Sequence, residues 1–290
     1  MMPLRTLDLC CGAGGWAVAA RGLPIKIVAA VDVAEDCCLT YAYNHPNAAV
    51  VCGDAVTTLN LRALGQIDLI LGGIPCEQIS AARSNKPASN DQMSAWHRLL
   101  DGVLRIVDAL QPPYWCVENV IQMRHHLPPL TSYSVYDSSL YGAPQKRKRM
   151  FMGRYPAPLP VAGTHTFSEV LQPGPYYLHK TAKRCSVYSN RQWYGDGVKR
   201  LIRPDRPSPT VTDCGTRHVR GFMVRLPDGR ERVLQLTEAA LLQGFPADYV
   251  FVGAFSRAWK MVAQAIQVDM GRALLEGIVR EANHQYGETS

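Results

Sequence analysis

The sequence predicts an α/β protein, a mostly parallel, doubly wound sheet that carries a smaller second region. Three observations predict it. Short apolar runs of strand length recur through the first half, and each ends in a group of ligand type: a glycine turn, then Asp32, Asp54, Cys76 and Glu118. Helical spacing fills the gaps between them, and such alternation builds parallel sheets. The composition then shifts, because residues 155–231 hold twelve Lys/Arg against six Asp/Glu and so carry +6 of the formal +7.

The first strand covers Thr6 to Cys10 and runs into Cys11-Gly-Ala-Gly-Gly15. A glycine turn after a first strand lets the backbone approach a ligand and opens a helix. The full dinucleotide fingerprint is missing, which argues against a nicotinamide site. Ile25 to Val31 forms a second strand ending in Asp32, a carboxylate placed to accept from ribose hydroxyls or to cap the next helix. That helix covers about Ala34 to Tyr43 and stops before Pro46. Val50 to Asp54 gives a third strand end with another carboxylate.

The fourth strand unit is Asp68 to Cys76, an apolar run that breaks at Gly72-Gly73 and delivers Pro75-Cys76. A lone cysteine is usually a small buried hydrophobe. One past the carboxyl end of a buried strand sits where open α/β sheets bind ligands, and its thiolate can be a nucleophile. Glu77 to Asp91 reads as a mobile polar lid over it. From Asp91 to Leu110 apolar residues recur at helical spacing, a core face. Tyr114 to Val117 is a strand that delivers Glu118-Asn119 to the same edge as Cys76. In the extended stretch Gln145-Lys-Arg147-Lys-Arg149, alternation turns Gln145, Arg147 and Arg149 one way and the two lysines the other.

The nine cysteines are odd in number, with no disulfide framework and no zinc spacing, which points to a reducing compartment. There is no signal-peptide pattern and no apolar run near the roughly 20 residues of a membrane span. The expectation is a cytoplasmic monomer without a membrane or a metal. The basic segment points to a polyanion partner held mainly by one part of the chain.

Five ordered blocks carry a resemblance. They are Asp8-Leu-Cys-Cys-Gly-Ala-Gly-Gly15, Pro75-Cys76, Glu118-Asn119-Val120, Gln145-x-Arg147-x-Arg149, and Arg232 through Thr237-Glu238 to Gln243-Gly244-Phe245-Pro246. Together they resemble the cytosine carbon-5 DNA methyltransferase family. The resemblance implies a Rossmann-like methyltransferase domain over residues 1–154, a target-recognition region over 155–231, and a return to the catalytic domain over 232–290. It implies S-adenosylmethionine as donor, double-stranded DNA as partner, and a bacterial or phage source. By resemblance Cys76 adds to carbon 6 of a flipped cytosine, Glu118 engages ring nitrogen 3, Arg149 holds the base carbonyl and Arg147 supports Cys76 and Glu118. Pro75, Ser80, Asn119 and Gln145 would meet the substrate. On the donor side Gly12, Gly14 and Gly15 would pass its amino-acid part, Cys10 would stand where the family's aromatic packs on the adenine, and Asp8 would line the same pocket. Asp32 and Val33 would meet the ribose and its surroundings, Asp54 and Ala55 the adenine, and Gln264 would help close the pocket.

Departures from the family pattern cluster on the donor side. Cys10 stands where Phe is usual, Val33 where an aromatic often is, Glu77 where Gln is usual, and Val262-Ala-Gln264-Ala265 in place of a Gly-Asn block. Glu77 puts a negative charge beside the thiol and so should raise its pKa. These changes keep an altered donor open. An RNA-methylating relative and a silent DNA-binding homologue also stay open, although the basic segment favours DNA and the intact catalytic set favours an enzyme.

Overall fold

The computed structural model describes residues 2–79, 88–172, 200–212 and 222–287. Strand β1 (Leu4–Leu9) leads through the glycine turn to helix α1 (Gly15–Ala19), then β2 (Ile25–Asp32), α2 (Glu35–Asn44), β3 (Val50–Cys52), the short α3 (Leu61–Leu64) and β4 (Leu69–Gly73). Helix α4 (Asn90–Leu110) crosses to β5 (Tyr114–Asn119), followed by β6 (Tyr133–Asp137), β7 (Gln145–Lys146) and β8 (Lys148–Arg154). Later come β9 (Arg200–Ile202), β10 (Ser208–Pro209), β11 (Phe222–Arg225), β12 (Glu231–Val233), α5 (Leu236–Leu242), α6 (Phe255–Gln264) and α7 (Val268–Gly287).

The main sheet has seven strands in the order β3-β2-β1-β4-β5-β8-β6. Its first five are mutually parallel, and β8 runs antiparallel to both β5 and β6. The order reverses between β1 and β4, so both strands open their carboxyl ends onto one crevice, the usual ligand position of a doubly wound sheet. This is a Rossmann-like fold. The buried strands Leu69–Gly73 and Tyr114–Asn119 are apolar nearly throughout because both faces are covered. The fourth strand is shorter than the expected unit Asp68 to Cys76. It ends at Gly73, and Ile74 to Cys76 already belong to the turn that follows.

Helix α4 starts at a capping box, where Ser89 and Gln92 satisfy each other's backbone N–H groups. It buries Trp96, Leu100, Val103 and Ile106 against one side of the sheet. The other side is covered by α7, whose Leu274, Leu275 and Ile278 pack with Trp16, Ala19 and Phe151. Arg272 of α7 also donates to the carbonyls of Ala19 and Arg21, at 3.4 and 2.6 Å. Helix α7 therefore closes over α1.

Between β8 and β12 the described residues share that same core. Phe167, Val170, Ile202, Val211, Phe222 and Val224 are buried with Phe151 and Trp259. Strands β9, β11 and β12 form a small sheet of their own, and β10 pairs with β7. Most of the basic residues expected to meet a polyanion, including Arg191 to Tyr194, Lys199, Arg217 and His218, lie outside the described residues.

Candidate active site

The glycine turn leaves β1 under strain. Cys10 has φ 51°, a left-handed conformation rare for a residue with a side chain. Gly12 and Gly14 follow at φ 52° and 88°. The Gly12 N–H donates to Asp32 Oδ2 at 2.9 Å, and the Ala34 N–H to Oδ1 at 2.9 Å. Asp32 thus ties the turn to the end of β2. It is not the helix cap, since α2 is capped at Ala34 with no side-chain bond. Val33 stands open beside it, 68% exposed. At the end of β3, Asp54 Oδ1 accepts the N–H groups of Val56 and Thr57 at 2.8 and 3.0 Å, on an exposed carboxylate. Ala55 is buried next to it.

The turn is braced from behind by residues the sequence did not single out. Tyr249 donates to the carbonyl of Ala13 and contacts His45 Nε2, the latter at 3.1 Å. Burial, then Arg21, pulls the His45 pKa down to about 4, so its ring is neutral. A Cβ on Gly14 would meet the Tyr249 hydroxyl at 2.8 Å and His45 at 3.0 Å. Gly14→Ala is therefore expected to push the turn off this brace and weaken donor affinity by tenfold or so, given about 1 kcal/mol of left-handed strain plus the clash. Calorimetric titration with S-adenosylmethionine checks this; wild-type affinity would remove the brace from the argument.

Asp8, at the inner end of β1, is fully buried. Its Oδ2 accepts from Tyr41 at 3.1 Å, while Oδ1 has no partner among the described residues. Burial pushes its pKa up to about 8, against the Tyr41 hydrogen bond and with help from Asp32. A raised carboxyl favours the fold while protonated, and that contribution is lost as pH rises through about 8. Wild-type stability should fall between about pH 5 and pH 9 by up to about 1.4 kcal/mol per unit near neutrality. In Asp8→Asn that slope should flatten, as read from urea midpoints at both pH values.

Across the crevice, the loop that carries Cys76 is pinned by its carbonyls. Asn119 Nδ2 donates to Ile74 O at 2.9 Å, and Trp96 Nε1 donates to Pro75 O at 2.7 Å. The Ile79 N–H returns to Cys76 O at 3.1 Å, closing the turn. Pro75 is exposed and Cys76 half-buried. Register places Gly73 opposite Glu118, which brings the carboxyl to the edge where Cys76 emerges.

Glu118 is 6% exposed. Its Oε1 lies 3.0 Å from Arg149 Nε in an ion pair, without a well-aligned hydrogen bond. Burial pushes its pKa up, while Arg149 and then Arg147 pull it down; the net shift is upward. The Cys76 thiol is likewise pushed up by burial, lowered by Arg149, raised by Glu118, lowered by Arg147 and raised by Glu77. The alternation expected of residues 145–149 holds: Gln145 and Arg147 are buried, Arg149 is half-buried, and Lys146 and Lys148 are exposed.

Arg147 donates to three carbonyls, Val211 at 3.0 Å, Ala263 at 2.9 Å and Ala265 at 3.0 Å. Burial, then Arg149, moves its pKa down to about 9, still cationic at neutral pH. Gln145 and Asn119, expected against the substrate, are instead turned into the protein. Gln145 donates to Leu242 O and Gln243 Oε1 at 3.0 and 2.7 Å and accepts from the Val211 N–H at 2.9 Å. The Asn119 amide is engaged by Ile74 O and the Val120 N–H. Gln264, expected at the donor pocket, is exposed and donates to Glu77. Ser80 and the centre of the expected lid, residues 80–87, lie outside the described residues.

The donor set fits a sulfonium amino acid with a nucleoside. Asp8 offers an unpartnered buried oxygen, the Gly12 Cα faces open space, and Asp54 presents an exposed carboxylate. The described residues hold no cluster of three or more metal-ligating side chains, and none of their helices is long and apolar enough to cross a membrane.

Comparison with known proteins agrees with this arrangement. A profile of the C-5 cytosine-specific DNA methylases matches residues 4–128 and 163–280. The Type II methyltransferase M.HgiDI of Herpetosiphon aurantiacus is 27% identical over 92% of this chain and 91% of its own. M.DsaV of Dactylococcopsis salina is 23% identical over 94% and 85%. Among solved structures, a putative DNA modification methyltransferase encoded within an E. coli prophage superposes with a TM-score of 0.72 at 20% identity, over 97% of this chain and 99% of that one. A DNMT2 of Spodoptera frugiperda gives 0.70 at 16% identity, over 96% and 99%. Spanning both halves of the chain, the match settles its family: the protein belongs to the C-5 cytosine-specific DNA methylases, enzymes that move a methyl group from S-adenosylmethionine to carbon 5 of cytosine in DNA.

Proposed function

We propose that the protein methylates cytosine in one short sequence of double-stranded DNA, with Cys76 as a covalent nucleophile. The observation that carries this reading is the convergence of a thiol, a raised carboxyl and two guanidinium groups on one sheet edge, across the crevice from the glycine turn. Carbon 5 of cytosine is a poor nucleophile. Addition of the Cys76 thiolate to carbon 6 moves the ring electrons toward carbon 5 and nitrogen 3. Protonated Glu118 donates to nitrogen 3 as charge builds there, and Arg149 holds the ring carbonyl. S-adenosylmethionine, when bound, supplies the electrophilic methyl group. Loss of the carbon-5 proton to a base then expels the Cys76 thiolate and restores the ring.

A stacked base cannot present carbon 6 to this loop, so the cytosine leaves the helix. Residues 1–154 and 232–290 serve as catalytic domain and residues 155–231 as target-recognition region. In this reading Arg147, Gln145 and Asn119 position the site from within; the carbonyls and amides they engage support that role. The names of the Type II relatives support a restriction–modification setting. We place the protein as a monomer in the cytoplasm of a bacterium or a phage-infected cell.

The test is sequencing for 5-methylcytosine in DNA from cells expressing the chain, beside a Cys76→Ala control. Modification in one short motif, absent from the control, is the expected result. Modified cytosine confined to RNA would overturn the choice of substrate.

A further inference from the structure

Two of the departures from the family pattern lie 187 residues apart and touch: Gln264 Nε2 donates to Glu77 Oε1 at 2.9 Å. Lys260 forms an ion pair with the same oxygen. Lys260 and Gln264 are four residues apart on α6, so they share a face. The segment they belong to also reaches the inner arginine and the glycine turn. The carbonyls of Ala263 and Ala265, on either side of Gln264, hold the guanidinium of Arg147. Ile266 packs where a Cβ on Gly15 would stand, 2.9 Å away. The residue after the nucleophile is thus clasped to the strip that separates the donor turn from the inner arginine.

We propose that Lys260 is a positioning residue which, with Gln264, holds the Glu77 carboxylate and cancels its charge, so that the Cys76 thiol answers to Arg149 and Arg147. This rests on the reading of Cys76 as the nucleophile. Without compensation a carboxylate next in sequence to the thiol opposes its ionisation. Among the described residues, the charged groups acting on Cys76 are Arg149 and Glu118 from β8 and β5, Arg147 between β7 and β8, and Glu77 from its own loop. From α6, Glu77 meets the cation Lys260, the amide of Gln264 and, more distantly, Arg257, which is itself paired with Asp36. Burial would push the Glu77 pKa up, but the two clasping groups and Arg257 outweigh it and keep the carboxylate ionised. The clasp thus accommodates an acidic residue where the family usually has a neutral amide.

The partners are partly exposed, so the effect is screened by solvent, and exposed pairs of this kind act on the scale of about two- to fivefold. The experiment is the alkylation rate of Cys76 by iodoacetamide in the full-length protein across alkaline pH, read on the Cys76 peptide by mass spectrometry. Lys260→Met should slow alkylation by about two- to fivefold below the thiol pKa and displace the profile to higher pH. Lys260→Arg should stay near wild type. Glu77→Gln should react at least as fast as wild type, and adding Lys260→Met to it should change nothing further. Lys260→Gln repeats the test should the methionine variant not fold. A Lys260 effect that persists undiminished in the Glu77→Gln background, or no effect at all, overturns the proposal. Capture of 5-fluorocytosine duplex DNA by the same proteins reports separately on the base-attack reading, since the wild type can fail there while the alkylation profiles still decide the clasp.

Discussion

Cys76→Ala should lose methyl transfer by at least about 10⁴-fold, the scale of removing a covalent nucleophile. It should also lose all capture of 5-fluorocytosine DNA. The trapping logic is specific to the proposed chemistry. Fluorine at carbon 5 cannot leave as the proton does, so the Cys76 adduct cannot be undone by elimination and the complex survives denaturation. The substitution should barely touch the fold. Cys76 is half-buried in a turn whose shape is set by bonds to its neighbours' carbonyls from Asn119 and Trp96. Donor binding should also persist, because the glycine turn is braced by Tyr249 and Ile266. A variant that folds, binds donor and still methylates at the wild-type rate would remove Cys76 from the chemistry.

Glu118→Gln should slow transfer by about 10² to 10³, within the range of a lost general acid, and change the shape of the pH profile. In the proposed mechanism the competent form carries a thiolate at Cys76 and a proton on Glu118. Both pKa values are raised by burial, the thiol from a higher ordinary value than the carboxyl. The competent form therefore holds one proton between the two groups. In the wild type the rate climbs as the first proton leaves the pair and falls as the second leaves, and both limbs belong to the pair as a whole. With the carboxyl replaced by an amide, only the thiolate matters. The rate then climbs with pH until Cys76 is ionised and levels off. Single-turnover rates against pH test this directly. An alkaline fall retained in the Glu118→Gln variant would assign that limb to another group.

Local pattern was enough to place several parts of this site. The carboxyl ends of β1, β2, β4 and β5 were legible because each buried strand is a short apolar run ended by a turn or a charge. The inward set Gln145, Arg147 and Arg149 was legible because a period of two survives from sequence to strand. What those side chains bind was not. The partners of Gln145 are Val211, Leu242 and Gln243, brought near only by the assembled core. Trp96 sat in a helical apolar pattern and read as core, and nothing local announces that its indole N–H reaches Pro75. Glu77 read as an uncompensated charge because Lys260 lies far along the chain. Pattern reports which face a residue presents; contacts between distant segments decide what it meets there.

The way the chain closes on itself bears on how the enzyme is made. The glycine turn emerges from the ribosome well before the residues that support it. Tyr249 props Ala13, Ile266 packs on Gly15, and α7 covers α1, with Arg272 bonded to Ala19 and Arg21. Chains emerge amino end first and fold as their contacts become available. Until α7 has emerged, the donor turn lacks these supports. A chain ended before α7 should therefore fail to methylate DNA even though the turn and Cys76 are already present.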